Sequence, residues 1–261
     1  LPRWSSSDTD RVRVDSFGLV RTVADGTAQV RAASDSAVGS ASVVVRQAAA
    51  RIAALSLRHD SLVYDALQAD STIAVQVFDG RNVPIANPTV SWTSSRPTVV
   101  SVLDAATGRF RALLADTATL TAVVDTARLK VPVLVSQVVT RVQLTPDTVA
   151  TDALTDTLRL ALALLDRNGR AVVGRTPLWT SLDANVAAVH AADAAGGRIV
   201  SRANGTTRIV ASYGGVSDTT LVRVAQIARQ VTVAPAARTF LALSDTATFS
   251  AQLTDRLGAP I

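Results

Sequence analysis

Apolar residues occupy every second position along several short stretches of the chain. In 72–77 these positions hold Ile73, Val75 and Val77, and in 158–164 leucine occupies all four of them. A period of two places one face of a β-strand on an apolar core. Turn-forming pairs separate the stretches: Asp25-Gly26, Asp79-Gly80, Asn168-Gly169 and Asn204-Gly205. The pattern predicts a chain built of many short strands.

A set of landmarks recurs three times in the same order, at a period of 87–90 residues. Each copy has a tryptophan, a glycine and a final valine-rich run: Trp4, Gly18 and Val45; Trp92, Gly108 and Val135; Trp179, Gly197 and Val224. Seven or so short strands in about 90 residues are typical of an immunoglobulin-like sandwich. The predicted fold class is therefore all-β: tandem immunoglobulin-like antiparallel β-sandwiches that form an elongated rod. The alanine-rich stretch 191–195 leaves a short helix open.

The landmarks also predict where the repeats begin and end. Two repeats are complete, at 48–137 and 138–226, whereas 1–47 contains the C-terminal part of a domain and 227–261 the N-terminal part of one. Placed end to end, the last and first segments would form a further sandwich. Two interpretations remain open: the chain is a window of a longer array, or chains meet head to tail and each end completes its neighbour.

Short apolar segments join the repeats. The segments begin at Val45, Val135 and Val224, and none contains glycine or proline. A flexible linker would be rich in glycine and serine. We therefore expect neighbouring modules, of the same or adjacent chains, to be partners with a restricted orientation.

Composition excludes several classes of protein. The sequence has no cysteine, methionine or glutamate, and Lys130 is its only lysine. The lack of cysteine excludes disulfides and zinc–thiolate sites. The net charge of +5 is scattered along the chain, and without clustered cations beside aromatic residues we expect no nucleic-acid partner. No run of 18 apolar residues predicts a membrane span within this chain.

The phrases around the tryptophans resemble a known family. Trp92-Thr-Ser-Ser is followed by alternating valines, a glycine and Ala115-Asp-Thr-Ala, and the same phrase recurs around Trp4 and Trp179. This pattern resembles the group 2 bacterial immunoglobulin-like domain, over essentially the whole chain. That family occurs in invasin- and intimin-like adhesins, other cell-surface proteins and some phage structural proteins. The resemblance implies an extracellular or cell-surface location and a role as spacer or presenter.

Candidate catalytic or metal-binding chemistry is sparse. His59 and His190 occupy non-equivalent positions of different repeats, and neither has a recurring partner. Aspartates near the repeat entries could offer oxygen ligands to Ca²⁺, or could instead cap turns through their own backbone; they are Asp8, Asp10, Asp15, Asp60, Asp65 and Asp70. We predict no catalytic, cofactor-binding or metal residue and no cofactor. The tryptophans are expected in the core, on the third strand of each sandwich.

The sequence therefore indicates a non-enzymatic structural or adhesive spacer of a bacterial surface or extracellular fibre protein. One alternative is a recognition module that binds a carbohydrate or a host protein at the cell surface, for which the loop 79–88 is the nearest candidate. Others are an accessory array of a larger secreted enzyme or of a phage structural protein. Near-equivalent repeats without an unusual loop favour the spacer.

Overall fold

The computed structural model describes residues 1–55, 57 and 60–261, and all regular structure in these residues is β-strand. The chain divides into two compact units, of which the first contains 1–62, 70–111 and 117–134, and the second contains 63–69, 112–116 and 135–261. Within the described part of the chain, no helix has the length and apolarity that a membrane crossing requires. The all-β class is confirmed, whereas the repeat boundaries stay a prediction.

Twenty-four strands follow one another along the described chain. The first five are β1 (Arg3–Ser6), β2 (Val12–Val14), β3 (Val20–Thr22), β4 (Gly26–Ser34) and β5 (Ala37–Val45). The next nine are β6 (Arg51–Ala54), β7 (Leu62–Tyr64), β8 (Asp70–Thr72), β9 (Val75–Phe78), β10 (Ser91–Ser94), β11 (Val100–Asp104), β12 (Arg109–Ala112), β13 (Thr117–Val124) and β14 (Ala127–Val135).

Eight strands lie within the predicted repeat 138–226, and two more follow it. The eight are β15 (Arg141–Thr145), β16 (Thr148–Thr151), β17 (Thr157–Leu165), β18 (Leu178–Ser181), β19 (Ala187–Ala192), β20 (Gly196–Ser201), β21 (Gly205–Tyr213) and β22 (Val216–Val224). The last two are β23 (Gln230–Ala234) and β24 (Ser250–Thr254).

The strands of the predicted repeat 138–226 form two four-stranded sheets. Their orders are β15-β17-β20-β19 and β16-β22-β21-β18, the arrangement of an immunoglobulin-like sandwich. Leu160 and Ile199 from the first sheet pack with Ile209 and Val222 from the second in one buried cluster. One pair departs from the predicted antiparallel pattern, because β16 runs parallel to β22. The reason is that the chain enters the second sheet at β16 before it reverses into β17.

Strands 51–135 follow the same plan with one interruption. The sheets have the orders β6-β9, β8-β12-β11 and β10-β13-β14-β7. The single strand β17 of the next repeat corresponds here to two strands, β8 and β9, with Ile73 and Ala74 between them. The backbone N–H of Ile73 donates to the carbonyl of Gly108 at 2.9 Å, so the break still has a backbone partner.

The first and last segments each contain part of such a strand set. In 1–45, β1-β4-β5 form one sheet and β2-β3 another, around a small core of Val12, Ala28 and Val30. In 229–261, β23 and β24 form an antiparallel pair. These sets correspond to β18–β22 and to β15 with β17, respectively.

The alanine-rich stretch 191–195 forms the end of a strand and a turn. Strand β19 extends to Ala192, after which Asp193 Oδ1 accepts hydrogen bonds from the backbone N–H groups of Ala195 at 2.8 Å and Gly196 at 3.0 Å. Such a side-chain bond satisfies the backbone of a tight turn and competes with helix formation. The helix that the sequence left open therefore does not form.

The tryptophans pack as the sequence predicts. Trp92 is 4% exposed, and its ring meets Phe110 edge to face with a centroid distance of 5.1 Å. Trp179 is half-buried and packs against the two clusters that contain Leu160 and Leu162. Trp4 is half-buried against Val12 and its neighbours. The core assignment of these side chains is confirmed.

Gly108 holds the tryptophan of its repeat in place and should not tolerate a side chain. Its φ is +66°, and an added Cβ would lie 2.7 Å from the carbonyl oxygen of Ile73 and 2.9 Å from Trp92 Nε1. We expect Gly108→Ala to lower the free energy of unfolding by more than about 1 kcal/mol. Gly80→Ala is the control, because among the described residues an added Cβ there meets nothing within 4 Å. Equal effects of the two variants in urea denaturation would contradict this role.

Candidate functional site: the joints between repeats

Only one of the two histidines lies in the described part of the chain. His190 is exposed on β19, and His59 lies outside the described residues. In the part of the chain that the structure describes, no group of three or more metal-binding side chains occurs.

Four of the six aspartates considered for calcium contact backbone N–H groups or arginines: Asp8, Asp15, Asp65 and Asp70. Asp8 Oδ1 accepts from Asp10 N–H at 3.1 Å, and Asp15 Oδ1 accepts from Phe17 N–H at 2.9 Å. Asp70 forms ion pairs with Arg109 at 2.7 Å and Arg111 at 2.6 Å. These contacts favour the turn-capping interpretation over calcium binding.

The pKa of Asp70 reflects its arginine partners. Hydrogen bonds from Arg111 and then Arg109 lower the pKa of Asp70 to about 2. Both ion pairs are exposed enough that water screens them. These ion pairs join the paired strands β8 and β12, so their role is structural.

A turn that begins with aspartate recurs at Asp79, Asp166 and Asp255. In each, one carboxylate oxygen accepts two backbone N–H groups of the turn: from Arg81 and Val83, from Asn168 and Arg170, and from Leu257 and Ala259, all at 2.9–3.0 Å. Each turn closes with an isolated bridge, Phe78 to Pro84, Leu165 to Ala171 and Thr254 to Pro260. The loop 79–88 therefore begins with the structural turn that all three copies share.

The second oxygen of Asp166 reaches across a joint. Asp166 Oδ2 accepts from the backbone N–H of Leu67 at 2.9 Å and from Gln137 Nε2 at 3.0 Å. Asp166 is 2% exposed, and a buried carboxylate is tolerated only when hydrogen bonds replace its hydration. With the two turn bonds, four donors surround this carboxylate.

The same arrangement recurs at the next joint. Asp255 Oδ2 accepts from the backbone N–H of Leu154 at 2.8 Å and from Gln226 Nε2 at 3.0 Å, and Asp255 is also 2% exposed. We call this set of three groups, an aspartate, a glutamine of the joint and the N–H of a leucine in the preceding repeat, the joint cluster. The two leucines are equivalent by sequence, each standing two residues after an aspartate.

Backbone bonds flank each glutamine of the joint cluster. Ser136 and Val138 donate to the carbonyls of Tyr64 and Asp65, both at 2.8 Å. Ala225 and Ile227 donate to the carbonyls of Thr151 and Asp152, both at 3.0 Å. The linking segment thus continues the backbone pairing of the preceding repeat and is not a free tether.

Ion pairs border both joint clusters. Arg167, next to Asp166, pairs with Asp65 at 2.9 Å. Arg256, next to Asp255, pairs with Asp152 at 2.7 Å and also with Asp156. The acidic partner precedes the leucine of the joint cluster by two residues in both cases. Each joint therefore combines a buried carboxylate with an exposed arginine–aspartate pair.

Hydrogen bonds dominate the titration of the joint aspartates. Burial raises the pKa of Asp255, but hydrogen bonds from Gln226 and from the N–H groups of Leu154, Leu257 and Ala259 lower it further, to about 2. At Asp166 burial likewise raises the pKa, and hydrogen bonds from Gln137 and three backbone N–H groups bring it below its usual range. Both groups are carboxylates at neutral pH.

The joint cluster around Asp255 should weaken in acid. An aspartate in an unfolded chain titrates near about 3.9, and Asp255 titrates at about 2 in the folded joint. The ionised form therefore stabilises the folded joint above about pH 4, and this contribution is lost as the pH falls through about 2. We expect the NMR shift of the Leu154 amide proton to titrate with a midpoint near 2 and not to titrate in Asp255→Asn. A midpoint near 4 would contradict the cluster.

The sequence predicted turns at Asp79-Gly80 and Asn168-Gly169, but it gave no sign of the partners that these aspartates bind. The signal that could have pointed to the cluster is the glutamine that recurs in every joint, at Gln47, Gln137 and Gln226. A polar side chain kept in an otherwise apolar linker indicates a hydrogen-bond partner.

The sequence matches no family model and no curated protein. Among solved structures, invasin, a bacterial integrin-binding protein, aligns with a TM-score of 0.41 and 16% identity over 88% of this chain and 54% of its own. Domains 1–6 of the surface layer protein SbsC align with a TM-score of 0.35 and 16% identity. The Escherichia coli adhesin FdeC aligns with a TM-score of 0.34 and 14% identity.

The extent of these alignments differs. The alignment with SbsC covers 100% of this chain and 39% of the SbsC structure. The alignment with FdeC covers 86% of this chain and 86% of the FdeC structure. It thus spans about two fifths of the SbsC structure. Similarities at this level do not assign the chain to any of these proteins, and its immunoglobulin-like fold follows from its own sheet order.

Proposed function

We propose that the chain is a tandem array of group 2-type bacterial immunoglobulin-like modules, and that it acts as a non-catalytic structural or adhesive spacer of a bacterial cell-surface or extracellular fibre protein. The observation that carries the proposal is the joint cluster, which recurs at Asp166 and Asp255 with the same donors. A spacer needs joints that hold successive modules in a restricted orientation. A loose string of modules would not need a buried carboxylate at each joint.

The energetics of the joint cluster support this role. Asp166 accepts a hydrogen bond from the backbone N–H of Leu67 in the preceding repeat, and a hydrogen bond to a charged group contributes about 1.5–3 kcal/mol. Bending at the joint removes that donor. The cost of bending is therefore a few times RT, and the docked arrangement is expected to dominate the population.

The candidate loop for recognition gives no support to the alternative function. The loop 79–88 opens with the same aspartate turn as 166–171 and 255–260, and among the described residues it has no aromatic side chain. A carbohydrate or host-protein ligand stays a prediction from the sequence.

Distance measurements between spin labels test the proposal. The chain has no cysteine, so Ala105→Cys and Ala184→Cys, both at exposed positions, provide unique labels in the two complete repeats. We expect a narrow distance distribution in the otherwise unaltered chain. The double variant Gln137→Ala, Asp166→Ala should broaden this distribution. The control variant Asp193→Ala, which removes the aspartate of a turn far from the joint, should leave it narrow. A broad distribution in the unaltered chain would show that the joint is a hinge.

A further inference from the structure

Two arginines face each other on one sheet of the predicted repeat 138–226. Arg159 on β17 is directly opposite Arg198 on β20 in the antiparallel register. Both residues are exposed, whereas the next residue on each strand, Leu160 or Ile199, is buried in the core, so the two arginines share the outer face of the sheet. Like charges directly opposite each other destabilise a strand pair. An anion between the two guanidinium groups would remove this repulsion.

The described part of the chain supplies no such anion. Among the described residues, neither Arg159 nor Arg198 has a side-chain hydrogen bond or an ion pair. Most other exposed arginines near an aspartate in this chain do pair with it, as Arg167 does with Asp65 at 2.9 Å. The two guanidinium groups therefore keep their hydrogen-bond donors available to a ligand.

The corresponding pair of positions in strands 51–135 carries less charge. By the repeat and by the strand register, Arg159 corresponds to Thr72 and Arg198 to Arg109. Arg109 also has a partner, because Asp70 forms an ion pair with it at 2.7 Å. The same place on the sheet thus holds one neutralised arginine in the first case and two free arginines in the second.

The carboxylate of Asp70 shows which group such a position binds. It accepts from Arg109 Nη2 at 2.7 Å, and from Arg111 Nε at 2.6 Å and Nη2 at 2.9 Å. The planar guanidinium of arginine matches a carboxylate in this two-bonded way. In the repeat 138–226 the residue at the position of Asp70 is Thr157. The acid is therefore lost in the repeat that gains a second arginine.

A groove of about 540 Å³ adjoins the two arginines, and both of them line it. This volume is within the range of about 300–1,000 Å³ that is usual for small-molecule sites. Residues with little or no side chain form much of the remaining lining: Ala161, Ala191, Ala192, Ala195 and Gly196. Such small residues leave room for a ligand to approach both guanidinium groups.

Two further side chains in the groove offer oxygen atoms, the hydroxyl of Thr145 and the carboxylate of Asp193. Asp193 Oδ1 accepts from the backbone N–H groups of Ala195 and Gly196, whereas its Oδ2 has no donor among the described residues. A free carboxylate oxygen accepts hydrogen bonds from hydroxyl groups and repels a second negative charge. The groove therefore favours a ligand with one carboxylate and several hydroxyl groups over an acidic peptide.

We propose that this groove binds a uronic acid unit of an acidic saccharide, with the sugar carboxylate between Arg159 and Arg198. The sugar carboxylate takes the place that the Asp70 carboxylate has in the other repeat, and Thr145 and Asp193 bind the sugar hydroxyl groups. The site goes beyond the spacer role, because it lies on the sheet face of one repeat and not at a joint.

Titration of the whole chain with digalacturonate tests the proposal. We expect saturable shifts of the Arg159 and Arg198 Nε–H signals in NMR spectra, and no such shifts with cellobiose, a neutral disaccharide of similar size. The titration uses low ionic strength, because salt screens exposed charges. Absence of saturable shifts with digalacturonate, or equal shifts with cellobiose, would overturn the proposal.

Thr157→Asp tests the location of the site without removing either arginine. The new carboxylate is at the position of Asp70 and should occupy the arginine donors, which lowers the affinity for digalacturonate by at least about tenfold. Thr157→Asn is the matched control, because asparagine has nearly the same size as aspartate but no charge, and it should leave the affinity unchanged. Equal affinities of the two variants would show that the ligand binds elsewhere.

Competition against bound digalacturonate distinguishes the classes of ligand. We expect triglutamate to compete at least about tenfold less well, because its additional carboxylates meet Asp193, and inorganic phosphate likewise, because it lacks the sugar hydroxyl groups. Equal competition by triglutamate would assign the groove to an acidic peptide. Equal competition by phosphate would assign it to any small anion, and either result would overturn the saccharide as ligand.

Discussion

Replacing Trp92 by alanine should lower the free energy of unfolding by about 3–5 kcal/mol. The side chain is buried, its ring meets Phe110 edge to face at 5.1 Å, and an added Cβ at Gly108 would meet its indole nitrogen at 2.9 Å. The substitution therefore leaves a large cavity between Gly108 and Phe110. The paired β-strands around this cavity cannot shift enough to close it. Urea denaturation followed by circular dichroism measures the change, because the variant loses a fluorescent reporter.

Thr93→Ala is the control for this substitution. Thr93 is the next residue on β10 and faces solvent, so its removal should change the free energy of unfolding by less than about 0.5 kcal/mol. A loss at Trp92 no larger than that at Thr93 would show that the tryptophan is a surface platform. The binding interpretation of the tryptophans would then return.

The second large effect is expected at the joint. Asp166→Ala should lower the free energy of unfolding by about 3 kcal/mol, because it leaves the N–H groups of Leu67, Asn168 and Arg170 and the Gln137 amide without their acceptor. Hydrogen exchange should show the loss directly, with the Leu67 and Arg170 amides deprotected first.

Asp193→Ala separates the joint from the turn. Asp193 caps an exposed turn through two backbone N–H groups, as Asp166 does through one of its oxygens, but among the described residues it has no donor from another repeat. We expect Asp193→Ala to cost less than about 1 kcal/mol. Similar losses for the two variants would mean that Asp166 serves only its own turn.

The joint cluster explains how an interdomain orientation can be specified by few residues. Hydrophobic contacts between modules are tolerant of small rotations, whereas a buried carboxylate requires its donors at fixed positions. Asp166 and Asp255 are satisfied only when the preceding repeat supplies a backbone N–H. Asp79, which accepts from its own turn and from Gln47, remains half-buried.

Strand pattern, repeat and core could be predicted from the sequence because they depend on local periodicity. Alternating residues such as Ile73 and Val77 fix which face of a strand is buried, and Trp92 recurs at the period of the repeat. The alanine-rich stretch 191–195 was ambiguous, since alanine favours helix by intrinsic propensity. Pairing of β19 with β20 and the capping by Asp193 decided it.

The joint cluster depended on tertiary structure alone. Asp166 and the N–H that it binds are 99 residues apart in the chain, and the donor is a backbone group that every residue except proline possesses. A side-chain pattern can mark the acceptor and the glutamine, but it cannot identify which backbone N–H completes the set. The sequence by itself determined that these modules form and repeat. Only the folded chain determined how one module's aspartate binds the turn of another, because that contact depends on position in space and not on residue type.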